Sequence, residues 1–206
     1  MKITDVTTFV VGNPPPHFGG RYFIFVKLTT DNGIVGYGEV YTATFSPHIV
    51  AAMTEDTAQR HVIGSDPFRI ENMWRNMYGS GFTQRPESSL VAVMSGLEMA
   101  CWDIIGKAVD KPVYELLGGK VHERLRSYTY IYPEEGDTTD VYADPDLSAE
   151  RAAKYVGQGF TGVKFDPAGP FSAFDPRQPS QERLELSETF VRKVREAVGT
   201  KADLLF

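Results

Sequence analysis

The first 40 residues alternate between apolar and polar positions, which predicts β-strands. Three segments rich in β-branched and aromatic residues show this alternation, over residues 3–11, 22–30 and 34–40. A loop rich in proline and glycine separates the first two segments. Asp31-Asn32-Gly33 joins the last two and suits a tight hairpin, because Asn and Gly tolerate positive φ. The sequence therefore predicts a three-stranded antiparallel meander.

Helical periodicity replaces the alternation after residue 48 and is strongest after residue 87. Two shorter helices are predicted over residues 49–62 and 68–78, and a long one begins at Ser88. Apolar residues of the long helix recur at three- and four-residue spacing: Leu90, Val93, Met94, Leu97, Cys101, Ile104, Ile105 and Ala108. We expect Ser88 or Ser89 to cap this helix, and Pro112 cannot continue it.

Small residues within the long helix indicate close packing. Gly96, Ala100 and Gly106 are costly inside a helix unless neighbouring elements approach closely, so we expect this helix to be clamped on two sides. One further turn is predicted over residues 113–117, and Gly118-Gly119 ends it.

The pattern changes after Gly119 to strand, helix, strand, helix, strand. The five segments cover residues 125–132, 148–157, 162–165, 181–198 and 202–206. Such alternation opens a parallel α/β architecture. We therefore predict an α+β domain over residues 1–124 and the start of an α/β domain over residues 125–206.

The segment from Ser95 to Gly119 contains a long motif. It reads Leu-Glu-x-Ala-x-Trp-Asp-x-x-Gly-Lys from Leu97, then four residues, then Pro-Val-x-x-Leu-Leu-Gly-Gly from Pro112. This motif resembles the signature helix of the mandelate racemase/muconate lactonizing enzyme family of the enolase superfamily. The resemblance implies an α+β N-terminal capping domain, followed by the first three strands of a (β/α) TIM-type barrel. It also implies that Glu98 and Asp103 are buried hydrogen-bonding or ion-pairing groups and not catalysts.

A barrel of this type needs eight strands in about 250 residues. Three parallel strands leave an unpaired edge and an uncovered apolar face. We therefore expect the chain to be an incomplete folding unit, either because the sequence is a piece of a longer chain or because the remainder is absent for another reason.

Lys164 and Asp166 are the candidate catalytic residues. They end the second predicted barrel strand and share one face of it, at the end where barrels place their active sites. Racemases of the family carry Lys-x-Lys here, in which the second Lys abstracts the proton next to a carboxylate and the first holds the substrate. Asp166 replaces that second Lys, which favours the sugar-acid dehydratases of the family, whose base is a His–Asp pair on later strands. The alternative is a plain Lys–Asp ion pair.

Two capping-domain loops are the candidate substrate-binding segments, because the resemblance implies that such loops close over the barrel mouth. They cover residues 14–22 and 41–47 and contain His17, Phe18, Arg21, Tyr22, Thr44 and Phe45. Arg21 is suited to pair with a carboxylate. The alternative for each residue is an exposed position without a ligand contact. A third loop, with Phe171, Phe174, Asp175 and Arg177, is a candidate lid.

The resemblance implies Mg²⁺ as the cofactor, but no residue of this chain is predicted to bind it. The third barrel strand of the family reads roughly Asp-Leu-x-x-Asp, and its second Asp binds the ion. Asp203 opens this pattern, which places the expected ligand at position 207. We expect Asp203 itself to lie at the buried beginning of the strand, away from any metal.

Composition narrows the remaining classes. The net charge of −6 argues against nucleic-acid and membrane-surface partners. The only cysteine, Cys101, cannot form an internal disulfide and is predicted to be a buried, inert thiol of a cytoplasmic protein. The six carboxylates between residues 134 and 146 are expected to form a solvated, mutually repelling surface. Gly33-Ile-Val-Gly36-Tyr-Gly38 lies in a hairpin, so it is not a dinucleotide loop.

These interpretations predict a Mg²⁺-dependent lyase that dehydrates a sugar acid after abstraction of the proton α to the carboxylate. The resemblance also implies a homo-oligomer with a small-molecule substrate. A racemase, epimerase or cycloisomerase of the same superfamily is the first alternative. A non-catalytic fragment without metal ligands is the second.

Overall fold

The computed structural model describes residues 1–42, 44–167 and 177–206. The chain folds as two compact units, Met1–Val121 and His122–Phe206. The first contains β1 (Ile3–Gly12), β2 (Tyr22–Thr30), β3 (Val35–Val40), α1 (Pro47–His61), α2 (Ile70–Gly79), α3 (Ser88–Val109) and α4 (Val113–Leu116). The second contains β4 (Thr129–Tyr130), α5 (Pro145–Gly157), β5 (Gly162–Lys164), α6 (Gln181–Val198) and β6 (Asp203–Leu205).

The first unit is an antiparallel sheet with its helices packed on one face. Its strand order is β1-β2-β3, which confirms the predicted meander. Alternate residues of β2 are buried, namely Ile24, Val26 and Leu28, and they share one apolar core with α3. Apolar residues recur at every second position of β2 and at every third or fourth position of α3. Each element therefore has one apolar face, and both faces are buried in the same core.

Glycines bring α3 unusually close to β3. A Cβ built on Gly38 would lie 2.0 Å from the Gly96 oxygen, and one on Gly36 would lie 2.1 Å from the Ala100 oxygen. A Cβ on Gly96 would lie 2.4 Å from a methyl group of Val40. The predicted close approach to the helix is therefore confirmed on the β3 side. Gly36 and Gly38 of β3 therefore have a packing role, because a side chain at either position would clash with the backbone of α3.

The cap of α3 corrects one prediction. The Glu87 side chain, and not Ser88 or Ser89, accepts hydrogen bonds from the first amides of the helix, those of Ser89 and Leu90. Ser88 and Ser89 already lie within the helix, so neither residue has the extended backbone of a cap. The backbone hydrogen bond from Leu90 is the main reason that the pKa of Glu87 is lowered.

Glu98 and Asp103 have partners as predicted, but both are half-buried and not buried. Asp103 accepts hydrogen bonds from the Tyr37 amide at 2.9 Å and from Lys107 at 2.7 Å. Glu98 accepts one from the indole N–H of Trp102 at 3.3 Å. Asp103 therefore ties α3 to β3 through the backbone of the strand.

Helix α3 is long and apolar enough to span a bilayer by length and composition alone. More than half of its apolar window is buried within the protein, and Val93, Leu97 and Ile104 are fully inaccessible. It is therefore the central core helix of the first unit.

The second unit is a parallel sheet in the order β4-β5-β6, with α5 and α6 packed against its core. Val163 and Phe165 are fully buried, together with Phe190 and Val194 of α6. Strand β4 contains only two residues, whereas the alternation predicted residues 125–132. Leu125, at the start of the predicted strand, is 84% exposed. A strand forms only where a neighbour pairs with it, and β5 is just three residues long.

Candidate functional site

Lys164 and Tyr130 are neighbours on the face of the second sheet opposite the core. Side chains alternate along a strand, and Val163 and Phe165 are buried in the core, so Lys164 projects to the other side. The register of the parallel pair places Tyr130 beside Lys164. Both residues lie at the carboxyl ends of their strands, where α/β folds place ligands.

The ammonium group of Lys164 rests against aromatic rings. Its Nζ lies 4.9 Å from the centroid of the Tyr130 ring and 5.8 Å from that of the Tyr128 ring. Hydrogen bonding to Tyr130 is the main cause that raises the pKa of Lys164, and the charge of Asp166 adds a smaller contribution. Lys164 is therefore a cation throughout the physiological pH range.

Asp166 follows the end of β5 and is exposed. Among the described residues, no ion pair within 4.0 Å joins it to Lys164. Its charge is the second cause, after burial, that raises the pKa of Tyr142. Asp166 and Lys164 thus share a region of the strand ends without a direct ion pair.

Sequence reasoning missed the tyrosines of this region. Tyr128, Tyr130 and Tyr132 occupy alternate positions, and the ring centroids of adjacent members are 6.4 and 6.2 Å apart. Tyr142 adds a fourth ring and donates a hydrogen bond to the Ile131 oxygen at 2.8 Å. The signal was present in the sequence Tyr-Thr-Tyr-Ile-Tyr, because alternation places three phenols on one face of a strand.

The acidic loop after β4 is organised by ion pairs, which corrects the prediction of a mutually repelling surface. The guanidinium of Arg151 on α5 is 5% exposed and lies 3.0 Å from Asp137 and 3.3 Å from Glu134. It also donates a hydrogen bond to the Tyr132 oxygen at 3.3 Å. Asp144 caps α5, and Asp146 pairs with Lys193 at 2.5 Å. The loop is therefore anchored to the helix that follows it.

Asn13 braces the first candidate substrate loop in the capping unit. Its side-chain amide donates to the Phe18 oxygen at 2.8 Å and to the Gly20 oxygen at 2.6 Å. The backbone carbonyl oxygen of Asn13 accepts a hydrogen bond from Nδ1 of His17 at 2.6 Å, so Nδ1 carries the proton. His17 is half-buried, whereas Phe18 is 55% exposed.

Arg21 and Tyr22 line a cavity of about 220 Å³ between this loop and the end of β3. Its other wall is formed by Glu39, Val40, Tyr41 and Thr42. Arg21 is exposed, whereas Tyr22 packs against the core of the unit. Thr44 and Phe45 are exposed and do not line this cavity. The first candidate loop therefore lines the cavity with Arg21 and Tyr22, and the second lines it with Tyr41 and not with Thr44 or Phe45.

No metal site is formed by the described residues. Residues 1–42, 44–167 and 177–206 contain no group of three or more His, Cys, Asp or Glu side chains that could hold an ion. Asp203 lies at the start of β6 and pairs with Arg126 at 2.7 Å. Its side chain is 69% exposed, so the prediction of a buried position is wrong. Phe171, Phe174 and Asp175 of the candidate lid lie outside the described residues.

Comparison with known proteins identifies the family. The model of the mandelate racemase/muconate lactonizing enzyme N-terminal domain matches residues 16–118, which include β2, β3 and the whole of α3. The chain belongs to this family. The match confirms the predicted capping domain and the identification made from the α3 motif.

Three relatives extend the comparison into the second unit. A provisionally assigned mandelate racemase/muconate lactonizing enzyme from Labrenzia alexandrii is 63% identical with a TM-score of 0.92, covering 100% of this chain and 52% of the relative. An enolase-superfamily member from Salmonella Typhimurium is 30% identical with a TM-score of 0.83, covering 98% of this chain and 53% of the relative. The D-galactonate dehydratase of Xanthomonas oryzae is 34% identical, covering 98% of this chain and 47% of that enzyme. The chain thus spans about half the length of these family members.

Proposed function

We propose that the full-length protein is an acid-sugar dehydratase, a carbon–oxygen lyase that removes water from a sugar acid. The observation that carries this proposal is Lys164, a cation at the end of β5 that is followed by Asp166 and not by a second lysine. The 34% identity to a D-galactonate dehydratase supports the same class. Localisation in the cytoplasm and assembly as a homo-oligomer belong to this proposal.

The roles of the two residues follow from their charges. A lysine ammonium binds a substrate carboxylate and stabilises the negative charge that develops when the α proton leaves. Asp166, which is exposed beside it, shapes the site or exchanges a proton with a substrate hydroxyl. The substrate-binding roles of His17, Phe18, Arg21, Tyr22, Thr44 and Phe45 in the capping unit stay predictions.

Mg²⁺ dependence is proposed for the full-length protein only. The described residues do not form a metal site, and the proposed ligands are position 207, at the end of the third barrel strand, and residues on later strands. The steps assigned to Lys164 and Asp166 involve substrate binding and proton transfer by the side chains of this chain alone.

A screen of sugar acids tests the proposal. The full-length protein is incubated with D-galactonate and its stereoisomers, and the α-keto acid product is measured as its semicarbazone. Lys164→Ala and Asp166→Asn are expected to lower kcat/KM by at least about 100-fold, the scale of a lost electrostatic or acid–base contact. Lys107→Ala provides a control lysine in the capping unit and should retain activity. Absence of turnover with every sugar acid would refute the dehydratase assignment.

The family name favours racemisation or cycloisomerisation as the second candidate, because both begin with the same proton abstraction. Incubation in D₂O separates the candidates. Exchange of the α proton without formation of a keto acid supports the second candidate and contradicts the first.

A non-catalytic protein is the third possibility, and ligand stabilisation distinguishes it. Millimolar Mg²⁺ should raise the Tm of a metal-dependent enzyme by mass action and leave that of a non-catalytic protein unchanged.

A further inference from the structure

Two tyrosines of β4 and the ammonium group of Lys164 form one cluster, which we call the aromatic seat. It consists of Tyr128, Tyr130 and Lys164. Both Nζ-to-centroid distances, 4.9 and 5.8 Å, fall within the range of about 6 Å over which a cation is attracted to a ring face. The rings belong to one strand and the cation to its neighbour, so strand pairing itself brings the three groups together.

Room for the first ring is provided by a glycine. Gly162 lies two residues before Lys164, and a Cβ built on it would be 3.1 Å from the Cβ of Tyr128. Such a distance is tighter than nearly all real Cβ contacts. The Gly162-Val-Lys164 sequence of β5 therefore admits the tyrosine at one position and presents the cation at the next position on the same face.

The charges that face Lys164 favour its protonated form. Its titratable neighbours are Tyr128 and Tyr130 on β4 and Asp166 beyond the end of its own strand. The residue paired with it on β6 is the apolar Leu205. A lysine becomes a proton acceptor near neutral pH when burial or a neighbouring cation lowers its pKa. Aromatic rings and a carboxylate have the opposite effect.

We propose that Tyr130, with Tyr128 as a second ring, is a positioning residue that holds Lys164 as a fixed ammonium group at the strand ends. Lys164 then binds the carboxylate of the substrate and does not take up its α proton, which another group must accept. The carboxylate part of this inference rests on the proposed function, whereas the aromatic seat does not.

Amine reactivity tests the seat directly. The full-length protein is acetylated under competition at alkaline pH, and the labelling rate of each lysine is measured by peptide mass spectrometry. Tyr130→Leu removes the ring and should increase the labelling rate of Lys164 about 3- to 10-fold. Tyr130→Phe keeps the ring and loses the hydroxyl group that hydrogen-bonds to Lys164, so it should give an intermediate increase that separates the contribution of the hydroxyl group from that of the ring. The Phe variant also preserves the test if the Leu variant does not fold.

The capping unit offers a matched control pair. Nζ of Lys107 lies 5.4 Å from the centroid of the Tyr37 ring, and Tyr37 is 53% exposed. Tyr37→Leu should leave both the labelling of Lys164 and the turnover of substrate unchanged. An equal rate of Lys164 labelling in the wild type and in Tyr130→Leu would overturn the seat.

Kinetics test the fixed-cation role. Tyr130→Leu keeps the ammonium group of Lys164, which can still stabilise the developing charge, and loses only the ring that positions it. The loss therefore falls mainly on binding of the substrate carboxylate, which raises KM more than it lowers kcat. Tyr130→Leu should therefore raise KM about 3- to 10-fold, keep kcat within about 3-fold, and move the alkaline limb of kcat/KM to lower pH. A wild-type kcat/KM that increases as Lys164 loses its proton would identify Lys164 as the base and overturn the role. If Lys164 is labelled as expected but no sugar acid is turned over, the proposed function is wrong and only the aromatic seat is supported.

Discussion

Gly38→Ala should strongly destabilise the capping unit, because the added methyl group has no space between β3 and α3. Its Cβ would lie 2.0 Å from the Gly96 oxygen and 2.9 Å from the Gly96 carbonyl carbon. Both are backbone atoms, so no side-chain rotation relieves the clash. Separation to the shortest distance that real Cβ atoms show, 3.0 Å, requires the strand and the helix to move apart by about 1 Å.

The magnitude follows from the cost of overpacking. Extra methyl groups in a closely packed core cost about 1–3 kcal/mol, and a displaced helix places the change at the upper end. The matched control is Gly12→Ala at the end of β1, where a Cβ would meet nothing within 4 Å and φ is not positive. This control should be neutral or slightly stabilising, because it removes backbone freedom from the unfolded chain.

Tryptophan fluorescence during urea unfolding provides the assay. The two tryptophans of these 206 residues, Trp74 and Trp102, both lie in the first unit, so their fluorescence reports on that unit. Gly38→Ala should lower the free energy of unfolding by about 2–3 kcal/mol and the Tm by roughly 8–15 °C. A decrease of less than about 0.5 kcal/mol, which would not differ from the effect of Gly12→Ala, would refute the close strand–helix contact.

Four other predictions test further features of the structure. Glu87→Ala should cost about 1 kcal/mol of capping-unit stability, whereas Ser88→Ala should cost almost nothing, as measured by urea unfolding. Arg151→Met should destabilise the second unit by roughly 1–3 kcal/mol by far-UV circular dichroism, since it removes the hydrogen bonds of the buried guanidinium to Asp137 and to the Tyr132 oxygen. The pKa of Asp137 is lowered below its ordinary value of 3.8, first by the hydrogen bond from the Glu134 amide and then by the hydrogen bond from Arg151. The ionised carboxylate therefore stabilises the folded protein fully above that pH, and this stabilisation is lost as the pH falls through the pKa of the folded state. Asp137→Asn should therefore flatten the loss of stability below about pH 5. Burial raises the pKa of Cys101 to about 12, so an aromatic disulfide reagent at pH 8 should label it at least about 1,000-fold more slowly than a free thiol; rapid labelling of the folded protein would contradict its burial.

Much of the fold was predictable because its signals are local. Strand β2 covers Tyr22–Thr30 and helix α6 covers Gln181–Val198, the same residues that their periodicities predict. In both elements the buried face depends on spacing alone, and spacing is a property of the sequence. Family membership was also predictable, because one helix carries a long motif whose residues follow each other in the chain.

The candidate site was predicted only in part. Lys164 and Asp166 were identified from their place at a strand end, but the tyrosines around them were not. Contact between Tyr130 and Lys164 depends on which residues of two strands pair, and 33 positions of sequence between them do not specify that register. The partners of Arg151 could not be predicted for the same reason. The sequence does not show which carboxylates of the acidic loop contact the buried guanidinium group.

The order and type of the elements, the faces that they bury and the family of the chain can all be read from the amino-acid sequence. Three features are visible only in the folded structure: the close approach of α3 to Gly36 and Gly38, the cap that Glu87 forms on that helix, and the contact between Tyr130 and Lys164. Periodicity encodes which side of an element is apolar. Close backbone approach, cap geometry and strand register arise only when elements pack, because each depends on atoms that the local chain does not contain.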